Sequence, residues 1–214
     1  MSDIFREVDE DLRRDRMEGL FKRYGGMAIV AALLIVGGTA GYKVWQTQQQ
    51  SQREAETATL ARAIAATQAA PDKGGEALSS YAAKAPADMA ALARLNEAAV
   101  LAAQGKKAEA VKIYDALAAG AGVAQPFRDL STLLSALNQM DSGDPAALQA
   151  ALAPLTGDTS PWRYSAREIS ALLAARAGDR ARAHTLFQQL AGDASAPAGV
   201  RSRAGDLAAF YGKS

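Results

Sequence analysis

Few side chains in this 214-residue chain could do chemistry, and their spacing argues against it. The single histidine, His184, lies in a stretch with helical spacing, without acidic or hydroxyl partners in the arrangement a nucleophilic or general-base site requires. A structural role is expected for it. Asp141, Asp144 and Asp158 carry oxygens of the kind that ligate calcium. The glycine and glutamate spacing of a calcium loop is missing, however, and turn or cap roles fit them better. Gly74 and Gly75 precede Glu76 rather than the Gly-Lys-Ser/Thr of a phosphate loop, so they read as a turn. Arg163, Arg167, Arg176, Arg180 and Arg182 make one segment basic, with the aromatics Trp162 and Tyr164 interleaved. Such a patch suits an acidic peptide or lipid headgroups, although a solvated helix face is the preferred reading. The chain has no cysteine, which excludes disulfides, thiolate catalysis, zinc-finger chemistry and lipid attachment through an N-terminal cysteine. No catalytic, metal or cofactor site is expected, and the chain is not expected to be an enzyme.

The elements that would carry any binding surface are helical. Apolar residues are abundant but mostly alanine, and aromatics are few, a composition that favours helices with thin, closely packed interfaces. Lys and Arg number 24 against 23 Asp and Glu, so overall charge gives no reason to expect a nucleic-acid partner.

From Gly25 to Tyr42 the run GGMAIVAALLIVGGTAGY carries no charge, and with Val44 and Trp45 it is long enough for the ~30 Å hydrocarbon layer of a bilayer. Tyr24, Tyr42 and Trp45 stand at its ends, where amphipathic rings prefer the headgroup region, and Lys43 can extend its ammonium to the interface. Residues 24–45 are therefore expected to be a transmembrane anchor helix. A removable signal peptide is the main alternative, since small residues near Thr39, Ala40 and Gly41 loosely imitate a cleavage region. Against it stand the length of the apolar run and the long, acidic leader. Gly37 and Gly41 form a small-xxx-small pattern that would admit a second helix, although glycine is common in membrane helices. Arg13, Arg14, Arg16, Lys22 and Arg23 precede the run more densely than Lys43, Arg53 and Arg62 follow it. That bias puts residues 1–23 in the cytoplasm and the remainder across the membrane, which in a bacterium is the periplasm.

Residues 1–23 read as an amphipathic leader, with Ile4, Phe5, Val8 and Leu12 at helical spacing. Asp9 with Arg13, Glu10 with Arg14 and Glu18 with Lys22 form favourable i,i+4 pairs. A solvated helix continuous with the anchor is the simpler reading, and a docking element the sharper one.

Residues 46–214 carry a repeat. The frame G-x4-A-x3-Y-x2-L at Gly105, Ala110, Tyr114 and Leu117 recurs at Gly178, Ala183, Phe187 and Leu190, and in a leucine-substituted form at Gly143, Leu148, Leu152 and Leu155. A degenerate early copy places Ala77 and Tyr81 after a turn at Pro71–Gly75. The large position then falls at 81, 114, 152 and 187, intervals of 33, 38 and 35 that bracket the unit of about 34 residues typical of stacked helix pairs. In each unit the glycine would permit a left-handed turn, the small residue would let the second helix lie against the first, and the large one would fill the gap to the next unit. Expected helices are 88–104, 106–118, 126–140, 145–155, 161–177 and 179–191, with a capping helix at 198–211. Pro86, Pro126, Pro161 and Pro197 punctuate the joins. The expected architecture is all-α: one N-terminal transmembrane helix, then a tetratricopeptide-like solenoid of about four helix pairs plus a cap. A four-helix bundle is the alternative.

In order of parts the chain resembles the single-span tetratricopeptide proteins of the YfgM type, ancillary subunits of the bacterial SecYEG translocon. A short charged leader, a Gly-rich span ending GYKVW, an Ala-rich first helix pair, and degenerate repeats such as LAAQGKKAEAVKIYDAL and LLAARAGDRARAHTLFQQL carry the resemblance. The leader DIFREVDEDLRRDRMEGLFKRYG departs from that of the best-known members. The resemblance implies an inner-membrane scaffold with a periplasmic repeat domain whose partners are translocon subunits, periplasmic chaperones and the lipid bilayer, assisting translocation or folding without catalytic residues. A cell-envelope assembly or division adaptor is the alternative function. The sequence does not specify an oligomeric state.

Overall fold

The computed structural model describes the backbone of residues 3–213 and the side chains of residues 26, 27, 34–71 and 73–213. Among the described residues the regular secondary structure is all helical: nine α-helices and one short 3-10 turn, with no strand. The chain divides into two compact units, Met1–Thr57 and Ala58–Ser214.

The described residues of the first unit, 3–57, belong to α1 (Asp3–Ala69), the longest helix. Met27, Leu34, Ile35, Val36, Tyr42, Val44 and Trp45 are all exposed along it. The expected transmembrane anchor is not shown: among the described residues no helix is long and apolar enough to cross a membrane. The side chains of residues 28–33, the middle of the expected span, and those of Tyr24 and the leader lie outside the described residues.

The second unit is a stack of helix pairs. The end of α1 is followed by α2 (Pro71–Ala82), α3 (Ala87–Ala103), α4 (Lys107–Ala119), α5 (Gln125–Asn138), α6 (Pro145–Leu152), α7 (Arg163–Arg176), α8 (Arg180–Gly192) and α9 (Ala198–Tyr211). Alanine and leucine dominate these segments and favour helix, while Pro71, Pro126 and Pro145 sit in first turns, where a missing N–H costs nothing. The principal packing joins helices adjacent in sequence, with weaker contacts α3–α5, α5–α7 and α7–α9 between the first helices of successive units. This nearest-neighbour pattern is that of a solenoid, and it sets aside the four-helix bundle.

The apolar core is correspondingly divided. Leu60 and Ala63 of α1 meet Leu78 and Ala82 of α2 and Ala93 of α3. Ala91, Leu95 and Ala98 of α3 meet Ala110, Tyr114 and Leu117 of α4, and Phe127 and Leu130 of α5 close over them. Leu133 and Ala136 of α5 join Leu148, Leu152 and Leu155 with Ile169 and Leu173 of α7. Ala171 and Ala174 of α7 join Ala183, Phe187 and Leu190 of α8 with Ala204 and Ala208 of α9. Each helix between the ends is shared by two clusters or bridges two neighbours, so the stack is held together serially.

Two helix ends show why the glycines of the repeat frame are needed. At the end of α3, Gly105 has φ +80°, its N–H donates to Ala102 O (3.0 Å), and Lys106 N–H donates to Leu101 O (2.9 Å). Gly178 repeats the arrangement after α7 with φ +85°, its N–H donating to Ala175 O and Asp179 N–H to Ala174 O, both at 3.0 Å. These are Schellman turns, which satisfy the last carbonyls of a helix and disfavour any residue bearing a Cβ.

Gly143 corrects the expectation that every unit uses a left-handed glycine, since its φ is not positive. It is small for another reason: an added Cβ would stand 3.0 Å from Leu148 Cδ1 and 3.1 Å from Gln139 Cβ. The earliest copy also needs correcting. Pro71–Gly75 is not a turn but the start of α2, and Gly74 lies so near α1 that an added Cβ would come within 2.4 Å of Thr67 Cα. Leu78 is fully buried, whereas Ala77 and Tyr81 are half-buried. The first copy therefore runs Gly74, Leu78, three residues earlier than the spacing predicts, and the large position falls at Leu78, Tyr114, Leu152 and Phe187.

Candidate functional site

The repeat frame residues position the surface rather than form it. Ala110, Tyr114, Ala183 and Phe187 are buried in the two core clusters that carry them, and burial raises the Tyr114 hydroxyl above its ordinary pKa. Because they fix how the second helix of each unit lies on the first, equivalent positions on the outside of different units face equivalent clefts.

Two such clefts are comparable residue by residue. One, of about 460 Å³, lies across α2, α3 and α4 and is lined by Gly75, Ser79, Glu97 and Glu109 among others. The other, of about 500 Å³, lies across α6, α7 and α8, where Gln149, Ala153, Ser170 and Arg182 take those four places. The correspondence follows from the frames: Leu78 matches Leu152, Gly105 matches Gly178, and Tyr114 matches Phe187. The same place in the fold is thus acidic in one unit and basic in another. In the acidic cleft Glu97 is partly withdrawn from water. That desolvation raises its carboxyl above the ordinary glutamate range, opposed by the Arg94 charge and a Ser79 hydrogen bond. A third hollow, of about 310 Å³, is mostly apolar and lies between α3 and the end of α4, with Arg94 and Leu117 on its wall.

The arginine-rich segment is largely occupied internally. Arg163 lies over the Tyr164 ring at 4.2 Å and donates to its hydroxyl at 2.7 Å. Arg167 donates to Thr156 O at 2.8 Å and pairs with Asp158 at 2.6 Å and Asp193 at 3.7 Å. Arg176 reaches back to the preceding turn and donates to the carbonyls of Met140 and Gly143. Arg180 lies over the rings of Phe210 and Tyr211. Trp162 packs against the core of α5–α7. Of the five arginines read as a patch, only Arg182 keeps an exposed guanidinium without an ion pair, ring contact or hydrogen bond to a carbonyl among the described residues.

The acidic residues serve as caps and ties. Asp144 caps α6 by accepting from Ala146 N–H at 3.3 Å and Ala147 N–H at 3.2 Å, and Asp141 pairs with Lys107 at 3.4 Å. His184 lies against the end of α9, where an added Cβ on Gly212 would stand 2.8 Å from its Nε2. No cluster of metal-ligating side chains occurs among the described residues. The sequence reading missed a polar tie between α4 and α5: the buried Ser135 hydroxyl donates to Asp115 at 2.5 Å and accepts from Gln139 at 2.9 Å. Its only trace in the sequence is the pair of serines, Ser131 and Ser135, one turn apart on the buried face of α5.

On α1, Tyr42 and Trp45 lie side by side with ring centroids 6.0 Å apart, both exposed. Lys43 is exposed, and Gly37 and Gly41 have nothing within 4 Å of an added Cβ. Comparison with protein-family models, curated proteins and solved structures finds no match for this chain.

Proposed function

We propose that this chain is a single-span, membrane-anchored scaffold that binds other proteins through its stacked helix pairs, working beside the Sec translocon and periplasmic chaperones to assist translocation or folding. The N-terminus would be cytoplasmic and the repeat domain periplasmic, at the inner membrane of a bacterium.

The observation that carries the anchor is the exposure of Leu34, Ile35 and Val36, at 71%, 67% and 64%. Three consecutive helical residues point in three directions about 100° apart, so a partner helix on one face would leave the others in water. A solvent apolar on every side accommodates all of them, and lipid is that solvent. Thr39, the one aliphatic hydroxyl of the charge-free run, turns back on its own helix and donates to Ile35 O at 2.8 Å and Val36 O at 2.9 Å, so its hydroxyl does not face outward unpaired. Tyr42, Lys43 and Trp45 suit the headgroup boundary that follows.

Serial packing and outward clefts support the scaffold part of the reading, because solenoids offer long surfaces without a closed active site. The translocon part rests on the resemblance in order of parts.

Alkaline carbonate extraction of membranes tests the anchor: the chain is expected to stay in the pellet and to leave it only in detergent. Recovery in an aqueous extract, or a mature chain beginning after Gly41, would overturn the reading. Co-purification with translocon subunits from detergent-solubilised membranes tests the partnership, and clean absence from that material would remove it.

A further inference from the structure

We propose that the cleft across α6, α7 and α8 is a docking site for an acidic polypeptide segment. The inference rests on the scaffold reading and deepens it by naming a partner class. It comes from the internal comparison of units. If packing dictated the residues lining this place, the equivalent cleft across α2, α3 and α4 would carry the same chemistry. Instead Gly75, Glu97 and Glu109 give way to Gln149, Ser170 and Arg182, while Ser79 gives way to Ala153. The first three changes remove two carboxylates and add an amide and a guanidinium, and the positions converge on one hollow of about 500 Å³, which Gln189 also lines.

A lining of amides and hydroxyls without a carboxylate, around one unpaired cation, matches an anion better than a cation. Arg182 is exposed and makes no ion pair among the described residues, in contrast to Arg167 on the same wall, whose charge is held by Asp158 and Asp193. Asp179 accepts from the Arg182 backbone N–H as the cap of α8. Leu186 supplies an apolar patch beside the donors. A segment in which glutamate or aspartate alternates with apolar residues satisfies both features, whereas a bare inorganic anion uses only the first.

The test uses the full chain in nanodiscs of neutral phosphatidylcholine and a short rhodamine-labelled peptide of alternating glutamate and leucine, followed by fluorescence anisotropy. Matched peptides carry glutamine or lysine in place of glutamate. The glutamate peptide is expected to bind most tightly, Arg182→Glu to weaken it roughly tenfold, and Arg182→Lys to retain most of the affinity. Gln189→Ala, which leaves the charge in place, is expected to weaken it less. Glu109→Gln in the other cleft is expected to leave binding unchanged. Equal binding of the glutamate and glutamine peptides, indifference to Arg182→Glu in a chain with unaltered thermal unfolding, or displacement of the peptide by phosphatidylglycerol nanodiscs would each overturn the proposal. Membrane extraction and co-purification report the anchored scaffold separately, so a cleft without peptide affinity leaves that reading standing.

Discussion

Single residues carry more of this fold than their chemistry suggests, and the glycines separate by mechanism. Gly105 and Gly178 are held at positive φ, so Gly105→Ala or Gly178→Ala is expected to cost about 1–2 kcal/mol through backbone strain alone, read as a shift in urea midpoint at constant slope. Gly74→Ala is expected to cost as much for a different reason, about 1–3 kcal/mol, because the new methyl meets the backbone of Thr67 and must push α2 from α1; Gly75→Ala, with nothing within 4 Å, is the control. The left-handed pair was legible in the sequence, since each glycine heads the same frame. Gly74 was not, because two adjacent glycines after a proline look like a turn whether or not a neighbouring helix lies against them. Glu97 adds a pH dependence with a definite sign. Its folded pKa lies above the ordinary 4.5, so the folded state holds the proton more tightly, and its favourable contribution is complete below 4.5 and lost as pH rises through the folded value. Glu97→Gln, which keeps a group able to meet Ser79, is therefore expected to be more stable than the parent at pH 7, with the difference closing as pH falls below 4.5 in parallel urea titrations.

Among the elements, α6 depends most on its ends. It spans only Pro145–Leu152, and a helix this short is marginal without tertiary support. Asp144 satisfies two of its first N–H groups, and Arg176 holds the carbonyls of the turn before it. Asp144→Ala is expected to cost about 1 kcal/mol in chemical denaturation, and Asp144→Asn much less, since the amide oxygen can still accept. Helix existence along α3–α9 was readable because the small and large residues recur in phase with helical spacing. The register of α2 was not, since Tyr81 looks like the large frame residue while the buried place belongs to Leu78. A hydrophobic frame cannot distinguish a half-buried tyrosine from a buried leucine three residues earlier when both lie on one helical face. The arginine segment was misleading in a related way. Its composition is basic, but composition does not say that Arg163, Arg167, Arg176 and Arg180 find partners within the fold and leave Arg182 outward.

At the scale of the second unit, serial packing determines how stability is distributed, and the C-terminal helix shows this most directly. α9 covers the outer side of the last cluster: Ala204 and Ala208 pack with Phe187, the Tyr211 ring stacks on Phe187 at 5.9 Å, and Arg203 holds Glu168 of α7 by two hydrogen bonds of 2.9 Å. Removing residues 198–214 would uncover Phe187 and Leu190, at a cost of about 1.5–3 kcal/mol for each large apolar side chain returned to water. α9 packs principally on α8, and more weakly on α7. The loss should therefore fall on the end of the stack rather than be shared evenly, because a nearest-neighbour array transmits destabilisation only through successive interfaces. Hydrogen exchange followed by mass spectrometry is expected to show α7 and α8 losing protection in the truncated chain, α5 and α6 losing less, and α3 and α4 keeping most of theirs. Uniform loss from α2 to α8 would mean that the clusters behave as one cooperative core. The separate clefts would then move together, and a partner bound at one would be felt at the other.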